Sequence, residues 1–338
     1  MSAEHSNHTN SQHFSRLTPK KEHNLWMATR LLDNWLDDIV DKGFYHQQNA
    51  LDQMNGLAAR LVDYGVPGIA KKIRMLQGKL HAKSDRVGQL SLVLGEFSLF
   101  CSMMKGIDQL NSIQREDLLS YAGIPYHKKN LSNERSLDDQ WLYVGYAKER
   151  EEKLTVYRHW FVGNKTNVKI LWIEYLFGQS NRPKRFVIGR FYSAVVRFFP
   201  SATPSRIDDI HSSPTIPKHQ LEPQNSTLKE VVDHFSLLLT YNPFIRSYVY
   251  VLRQTEMQKF KGKWCLWDGG SELFPLDNQT KELDALTSVC KLDGTYLFVE
   301  FLGKAIKVLS ILLDGQVLSM NQLTGNFSQE ISPEDDKV

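Results

Sequence analysis

Apolar residues in the first third of the chain recur at helical spacing. From residue 22 to Gly43 they fall on one stripe of a 3.6-residue period, which predicts an amphipathic helix. The segment 85–105 is the most apolar of the helical segments and is expected to lie at the centre of the bundle. Helices are also predicted at 51–62, 67–80 and 108–122. Because short connections and no strands separate them, the pattern predicts an all-α bundle.

The period changes beyond residue 141. Runs rich in β-branched and aromatic residues at 153–162 and 168–177 flank a five-residue loop with Gly163, which is typical of a β-hairpin. A third run, 185–199, continues the sheet, and apolar residues on both strand faces predict that it is covered on both sides. A helix begins at Thr227, and a second is predicted at 280–289 among further strands.

Polar and Pro-rich stretches divide these patterns. The predicted class is α+β, an N-terminal helical bundle followed by a largely antiparallel β region with one or two helices. The predicted segments are a disordered tail at 1–21, the helical bundle at 22–125, a linker at 126–140, an antiparallel β-sheet region at 141–200, a Pro/Ser-rich linker at 201–226, a helix plus β-hairpin module at 227–327, and a disordered acidic tail at 328–338.

Composition narrows the functional classes only slightly. Across 338 residues, 41 Lys and Arg face 38 Asp and Glu, and this balance creates no strong field for nucleic acid or lipid. The longest apolar stretch, 90–104, contains Glu96 and is shorter than a bilayer requires, so no membrane association is expected. Three scattered cysteines and a polar start without an apolar signal region favour a reducing, cytoplasmic location.

Few residues carry recognisable chemistry. Cys101 and Cys265 lie among apolar neighbours and are interpreted as buried hydrophobes, whereas Cys290 stays undecided. His159 alternates along a strand, which favours a cross-strand hydrogen bond or an exposed ring over acid–base work. Because the common hydrolase, nucleotide-binding and metalloprotease motifs are missing, we expect no catalytic residue, no cofactor and no metal ligand set.

One constellation combines cations with aromatic rings. Basic residues interleaved with aromatics on a sheet can pair with phosphates and stack on bases of single-stranded nucleic acid. The alternative is a basic turn leading into a strand whose aromatics are core, since these arginines fall on both strand faces. The candidate nucleic-acid-binding residues are Arg182, Lys184, Arg185, Arg190 and Arg197.

Several segments resemble bacterial SWIM zinc finger proteins, in the region that follows their zinc motif. They read WLDDI at 35–39, LAARLVD at 57–63, VPGIA at 66–70, WLYVG at 141–145, VVRFFPSA at 195–202 and WCLWDG at 264–269. The defining CxC and CxH zinc ligands of that family have no counterpart here, so zinc binding does not carry over. The resemblance implies a setting beside AAA-type ATPases and von Willebrand factor A-type proteins.

Three functional hypotheses follow. The first is a non-catalytic protein–protein interaction or adaptor protein that acts with such an ATPase system, and it predicts unusual apolar exposure. The second is a nucleic-acid-binding module that uses the basic-aromatic strand. The third is an enzyme with a dispersed site of His and Asp/Glu side chains, which would need a polar pocket.

Overall fold

A computed structural model describes residues 14–43, 50–81, 86–151, 154–178, 186–216, 224–253 and 255–325. The chain divides into two compact units, Met1–His127 with Pro200–Ala202, and Lys128–Phe199 with Thr203–Val338. The predicted acidic tail at 328–338 and the first thirteen residues of the predicted N-terminal tail lie outside the described residues. The α+β class is confirmed, because helices precede antiparallel sheets along the chain.

The described part of the first unit contains five α-helices. They are α1 (Pro19–Lys42), α2 (Ala50–Asp63), α3 (Pro67–His81), α4 (Arg86–Lys105) and α5 (Ser112–Ala122). Helix α4 packs against α1, α3 and α5, which agrees with its predicted central position. Its inner side buries Phe97, Phe100, Cys101 and Met104.

The first helix starts earlier than the predicted boundary at 22. Thr18 is the N-cap, its hydroxyl accepts from the Lys21 N–H, and Pro19 takes the first helical turn, where its missing N–H costs nothing. Phe14 and Leu17 are buried ahead of the helix. Residues 14–21 therefore differ from the predicted tail, since a cap and two apolar anchors attach them to the bundle.

Three antiparallel sheets form the second unit. The first has the order β3-β2-β1-β4-β5, with β1 (Ser136–Glu151), β2 (Leu154–Gly163), β3 (Lys169–Phe177), β4 (Phe191–Arg197) and β5 (Pro214–Thr215). The second has the order β12-β11-β10-β6, with β6 (Tyr248–Arg253), β10 (Tyr296–Phe301), β11 (Ile306–Leu313) and β12 (Gln316–Ser319). The third comprises β7 (Glu256–Phe260), β8 (Lys263–Trp267) and β9 (Leu273–Pro275). The helices here are α6 (Leu228–Tyr241), α7 (Thr280–Val289) and the single-turn α8 (Met320–Leu323).

The first sheet is covered on both faces, as its two-sided apolar pattern predicts. One face packs on the second sheet through Val144, Trp160 and Phe298. The other face buries Phe161 beneath Ile207 and Ile210. The segment predicted as a Pro/Ser-rich linker at 201–226 therefore contributes core side chains and strand β5, because this aromatic outer face needs an apolar cover.

Two hairpins illustrate how local signals set turns. The predicted loop between β2 and β3 exists, and the Asp139 carboxylate holds it by accepting from the Lys165 and Thr166 N–H groups. Asp314-Gly315 joins β11 to β12 with both residues at positive φ, a conformation that Asp-Gly pairs favour in two-residue hairpin turns. The run at 185–199 gives a shorter strand than predicted, because Gly189 (φ 83°) forms a turn before β4 begins.

A glycine pair sets the closest backbone approach in the bundle. Gly68 opens α3, and Gly123 ends α5 in the left-handed conformation. A Cβ atom at Gly68 would lie 2.6 Å from the Gly123 nitrogen, and one at Gly123 would lie 2.3 Å from the Gly68 nitrogen. Since the obstructing atoms belong to backbone, neither side can yield without moving a helix.

We expect Gly68→Ala to destabilise the bundle by about 1–3 kcal/mol, because the added methyl overpacks two backbone segments. The measurement is urea unfolding of the full chain followed by far-ultraviolet circular dichroism. Gly78→Ala in the same helix is the matched control, since a Cβ there meets nothing within 4 Å. The Gly78→Ala variant should be more stable than the wild type by roughly 0.5–1 kcal/mol, because alanine has the higher helix propensity. Equal effects of the two substitutions would contradict the close approach.

Candidate functional site

The described residues hold two of the five predicted nucleic-acid ligands. Arg190 is exposed directly before β4. Arg197, at the end of β4, is half-buried and donates through Nε to Asp208 Oδ2 at 3.0 Å. Its guanidinium is therefore already neutralised by a carboxylate eleven residues away. Arg182, Lys184 and Arg185 lie outside the described residues, so a joint surface of the five stays a prediction.

A fully buried carboxylate lies between the first and second sheets. Glu300, on β10, accepts from Arg158 Nε at 3.0 Å, Trp160 Nε1 at 3.2 Å and Ser247 Oγ at 2.7 Å, all to Oε1. Its other oxygen, Oε2, accepts from Arg158 Nη2 at 3.3 Å. Arg158 and Trp160 belong to β2, whereas Ser247 precedes β6. The carboxylate thus joins the two facing sheets through donors from both.

Opposite charges face each other at this buried site, because the Arg158 guanidinium lies between Glu300 and Glu149. Burial opposes the charge of Arg158, but Glu300 and Glu149 outweigh it, and the pKa of the guanidinium lies above its usual value. Glu149 lies 3.1 Å from Arg158 Nη1 at the more exposed end of the pair. Because both oxygens of Glu300 accept from these donors, the group links the two sheets. Sequence reasoning missed it, although a lone Glu inside the apolar run 296–301 was a usable signal.

His159 occupies the opposite face of the first sheet. It is buried, and its Nδ1 lies 2.8 Å from the Tyr143 hydroxyl on the neighbouring strand. Its Nε2 lies 3.4 Å from Glu174 Oε2. Trp172 and Phe186 pack around the ring at centroid distances of 5.0 and 5.7 Å. The predicted cross-strand hydrogen bond is confirmed, and burial raises the pKa of Tyr143 well above its usual value.

Two basic side chains of the second unit have pKa values below their usual values. Burial lowers the pKa of Lys169 on β3. Burial and the nearby charge of Lys169 also lower the pKa of His234 on α6. The imidazole Nδ1 of His234 lies 2.9 Å from the Tyr250 hydroxyl. This corner therefore combines an imidazole and an amine of lowered pKa with a phenol. Among the described residues, no carboxylate bonds to the imidazole or to the amine.

All three cysteines are free and buried. Burial raises the pKa of Cys101 and of Cys290 to about 12, and it also raises the pKa of Cys265. The interpretation of Cys101 and Cys265 as buried hydrophobes agrees with this, and the position left undecided, Cys290, joins them. Within the described ranges, no three His, Cys, Asp or Glu side chains form a group that could hold a metal ion.

Helix α4 exposes apolar side chains as well as burying them. Leu92 is 55% exposed and Leu99 is 39% exposed, although the helix packs against three others. Its sequence repeats every seven residues, as GQLSLVL at 88–94 and GEFSLFC at 95–101. Repeated positions share one helix face, so the exposed side of α4 carries a row of small residues beside a row of leucines. Its exposed members are Ser91, Leu92, Gly95, Ser98, Leu99 and Ser102.

Comparison with known families identifies the helical part. Residues 20–122 match the model of the SWIM-associated four-helix bundle domain. The resemblance to the region that accompanies the SWIM motif is therefore confirmed over this part of the chain, which contains α1 to α5. No curated protein and no solved structure matches the chain. None of the described helices combines the length and the apolarity needed to cross a bilayer.

We expect Glu300→Gln to destabilise the second unit by about 3–5 kcal/mol, because it leaves Arg158 without its buried counter-charge. Glu149→Gln removes the more exposed partner of the same guanidinium and should cost less than about 1 kcal/mol. Urea unfolding monitored by tryptophan fluorescence measures both. A cost for Glu300→Gln no larger than that of the control would show that the buried pair does not hold the sheets.

The native thiols should react slowly with a disulfide reagent such as DTNB. Raising a thiol pKa from 9 to about 12 lowers the thiolate fraction at pH 8 about a thousandfold, and burial blocks access as well. All three cysteines should react rapidly once the chain is unfolded in guanidinium. A native cysteine that reacts as fast as free cysteine would identify an activated thiol and contradict the buried-hydrophobe interpretation.

Proposed function

We propose that this protein is a non-catalytic adaptor that binds a protein partner through the exposed face of α4. The observation that carries the proposal is the seven-residue repeat of the SWIM-associated bundle, whose leucines stay exposed while the same helix forms the core. Exposed leucines become favourable contacts when a partner covers them, because apolar area is then removed from water. Here one side is left for another molecule.

The repeat specifies the occupant as an α-helix. A strict seven-residue period keeps one face of a helix aligned with a partner helix, so that leucines insert between side chains of the partner. Gly95 and the serines beside it allow the partner backbone to approach closely. The exposed members run from Ser91 to Ser102, which corresponds to roughly 18 Å of helix. The matching surface is therefore a helix of similar length with an apolar stripe.

The electrostatics of the face favour an uncharged stripe on that partner. Between Arg86 and Lys105, the only charged residue in the sequence of α4 is Glu96. Its carboxylate lies 3.3 Å from the Tyr121 hydroxyl on α5, at the margin of the leucine row. A charged partner side chain would lose hydration against this face without gaining an opposite charge.

The second unit supports the non-catalytic part of the proposal. Its most deeply buried ionisable groups have structural partners, since Glu300 bonds across two sheets and His159 bonds to Tyr143 within an aromatic cluster. The thiols are shifted away from reactivity by burial. Residues committed in this way serve to hold the second unit together as a scaffold.

The family setting suggests which partners to test first. The resemblance to SWIM zinc finger proteins favours a bacterial, cytoplasmic assembly that contains an AAA-type ATPase or a von Willebrand factor A-type protein. The crosslinking test below should therefore include purified proteins of both classes.

The test combines crosslinking with a charge substitution. With p-benzoylphenylalanine in place of Leu92, illumination in the native cells should crosslink the protein to one helical, apolar segment of a partner, identified by mass spectrometry. Direct binding to that purified partner should weaken more than about a hundredfold in the Leu92→Glu, Leu99→Glu double variant, because two carboxylates enter an apolar interface.

The matched control is Val40→Glu with Val62→Glu, which adds the same charge at exposed positions of α1 and α2. Both double variants should unfold like the wild type, and only the α4 variant should lose binding. Equal binding by the two variants would overturn the proposal. A crosslink to a second copy of this chain would overturn it too, since α4 would then be a self-association surface.

A further inference from the structure

The hairpin between β7 and β8 carries a concentration of positive charge at its turn. Lys259, Phe260, Lys261 and Lys263 are all exposed, and Gly262 completes the turn. Lys261 (φ 48°) and Gly262 (φ 78°) both have positive φ, as a tight two-residue hairpin turn requires. We call residues 259–264 the basic hairpin.

None of these three lysines pairs with a carboxylate among the described residues. Two of them, Lys259 and Lys261, lie over aromatic rings of the same hairpin. Lys259 Nζ is 4.8 Å from the Trp264 ring centroid, and Lys261 Nζ is 5.3 Å from that of Phe260. Three ammonium groups within five residues therefore produce a local positive field that the near-neutral composition of the whole chain hides.

The hairpin register distributes this charge around the turn. Lys259 lies opposite Trp264 and Phe260 lies opposite Lys263, so each face of the hairpin carries one lysine and one ring. Lys261 stands at the turn itself. The Phe260 side chain remains 51% exposed and offers an open ring face. A lysine is therefore available to bind a phosphate group on each face of the hairpin and at its turn.

We infer that the basic hairpin binds single-stranded nucleic acid, with lysines pairing to phosphates and Phe260 stacking on a base. A flexible strand can wrap a turn that is charged on all sides, and an unpaired base can stack on a single exposed ring. A flat anionic bilayer fits less well, because the outermost side chain is Lys261 rather than an apolar one, and insertion would bury its charge. The inference is independent of the α4 interface.

The inference predicts how steeply binding should weaken as the salt concentration rises. Three phosphates neutralised on a single strand predict a slope of log K against log salt of about −2, since each contributes about −0.7. Each lysine replaced by alanine should reduce the slope by about that amount. Phe260→Ala should weaken binding about tenfold through lost stacking and leave the slope unchanged.

The experiment measures binding by fluorescence anisotropy. It uses the 338-residue chain and labelled 20-nucleotide dT and rU oligonucleotides at salt concentrations between 20 and 200 mM. Wild-type protein should bind with the predicted slope, and Lys259→Ala, Lys261→Ala, Lys263→Ala should abolish binding. The matched control, Lys128→Ala, Lys129→Ala, Lys165→Ala, removes three exposed lysines outside the three-stranded sheet and should retain binding.

The outcomes separate this site from its alternatives. Equal loss in both triple variants would overturn the inference, because the effect would follow net charge alone. Binding to vesicles of phosphatidylcholine and phosphatidylglycerol without binding to the oligonucleotides would assign the hairpin to an anionic membrane and overturn it too. The Leu92→Glu, Leu99→Glu variant should bind the oligonucleotides like wild type, so failure of the adaptor proposal and failure of this one remain distinguishable.

Discussion

One buried carboxylate constrains the whole β unit. Glu300 can stay between the two sheets only while Arg158 and Trp160 reach it from β2 and Ser247 reaches it from the second sheet. A slip of β2 by one residue against β1 and β3 would turn Arg158 to the other face of the first sheet and leave a buried charge unpaired, which costs more than most packing errors. A second polar link stands at the bulge in β1, where the Ser310 hydroxyl donates to the Val144 carbonyl. The sheets are thus held in one register by groups that apolar contacts alone would not fix.

Local patterns predicted the elements well and their tertiary roles less well. The helices, the β2–β3 hairpin and helix α7 follow from periodicity, turn residues and caps, which act within a few residues. The segment at 201–226 looked like a linker because prolines and serines dominate it, yet Ile207 and Ile210 complete a core. Their burial depends on the aromatic face of a sheet whose first strand begins more than sixty residues earlier in the sequence. No local signal in 201–226 indicates this contact. Glu300 was missed for the same reason, since its partners lie 142 and 53 residues away.

Helix α4 shows why apolar content does not equal burial. Its sequence predicted a central helix, and its packing against α1, α3 and α5 agrees. A cylinder surrounded by three others can still leave a strip uncovered, and which strip is uncovered depends on the packing angles. The seven-residue repeat was visible in the sequence, but only exposure shows that its leucine row faces outward. The period therefore gained functional meaning from the structure, because an inward repeat would describe only the core of the bundle.

The two basic-aromatic segments differ in a property that sequence composition cannot express. Arg197 belongs to the predicted nucleic-acid surface, yet Asp208 neutralises it after the chain folds back. The lysines of the basic hairpin lie at or beside a turn of the three-stranded sheet, and the rings beneath Lys259 and Lys261 stabilise these two cations without cancelling their charge. A cation over an aromatic face keeps its attraction for phosphate, whereas a cation in a carboxylate pair must first lose its partner. Within the described part of the chain, the hairpin therefore concentrates positive charge that no carboxylate neutralises.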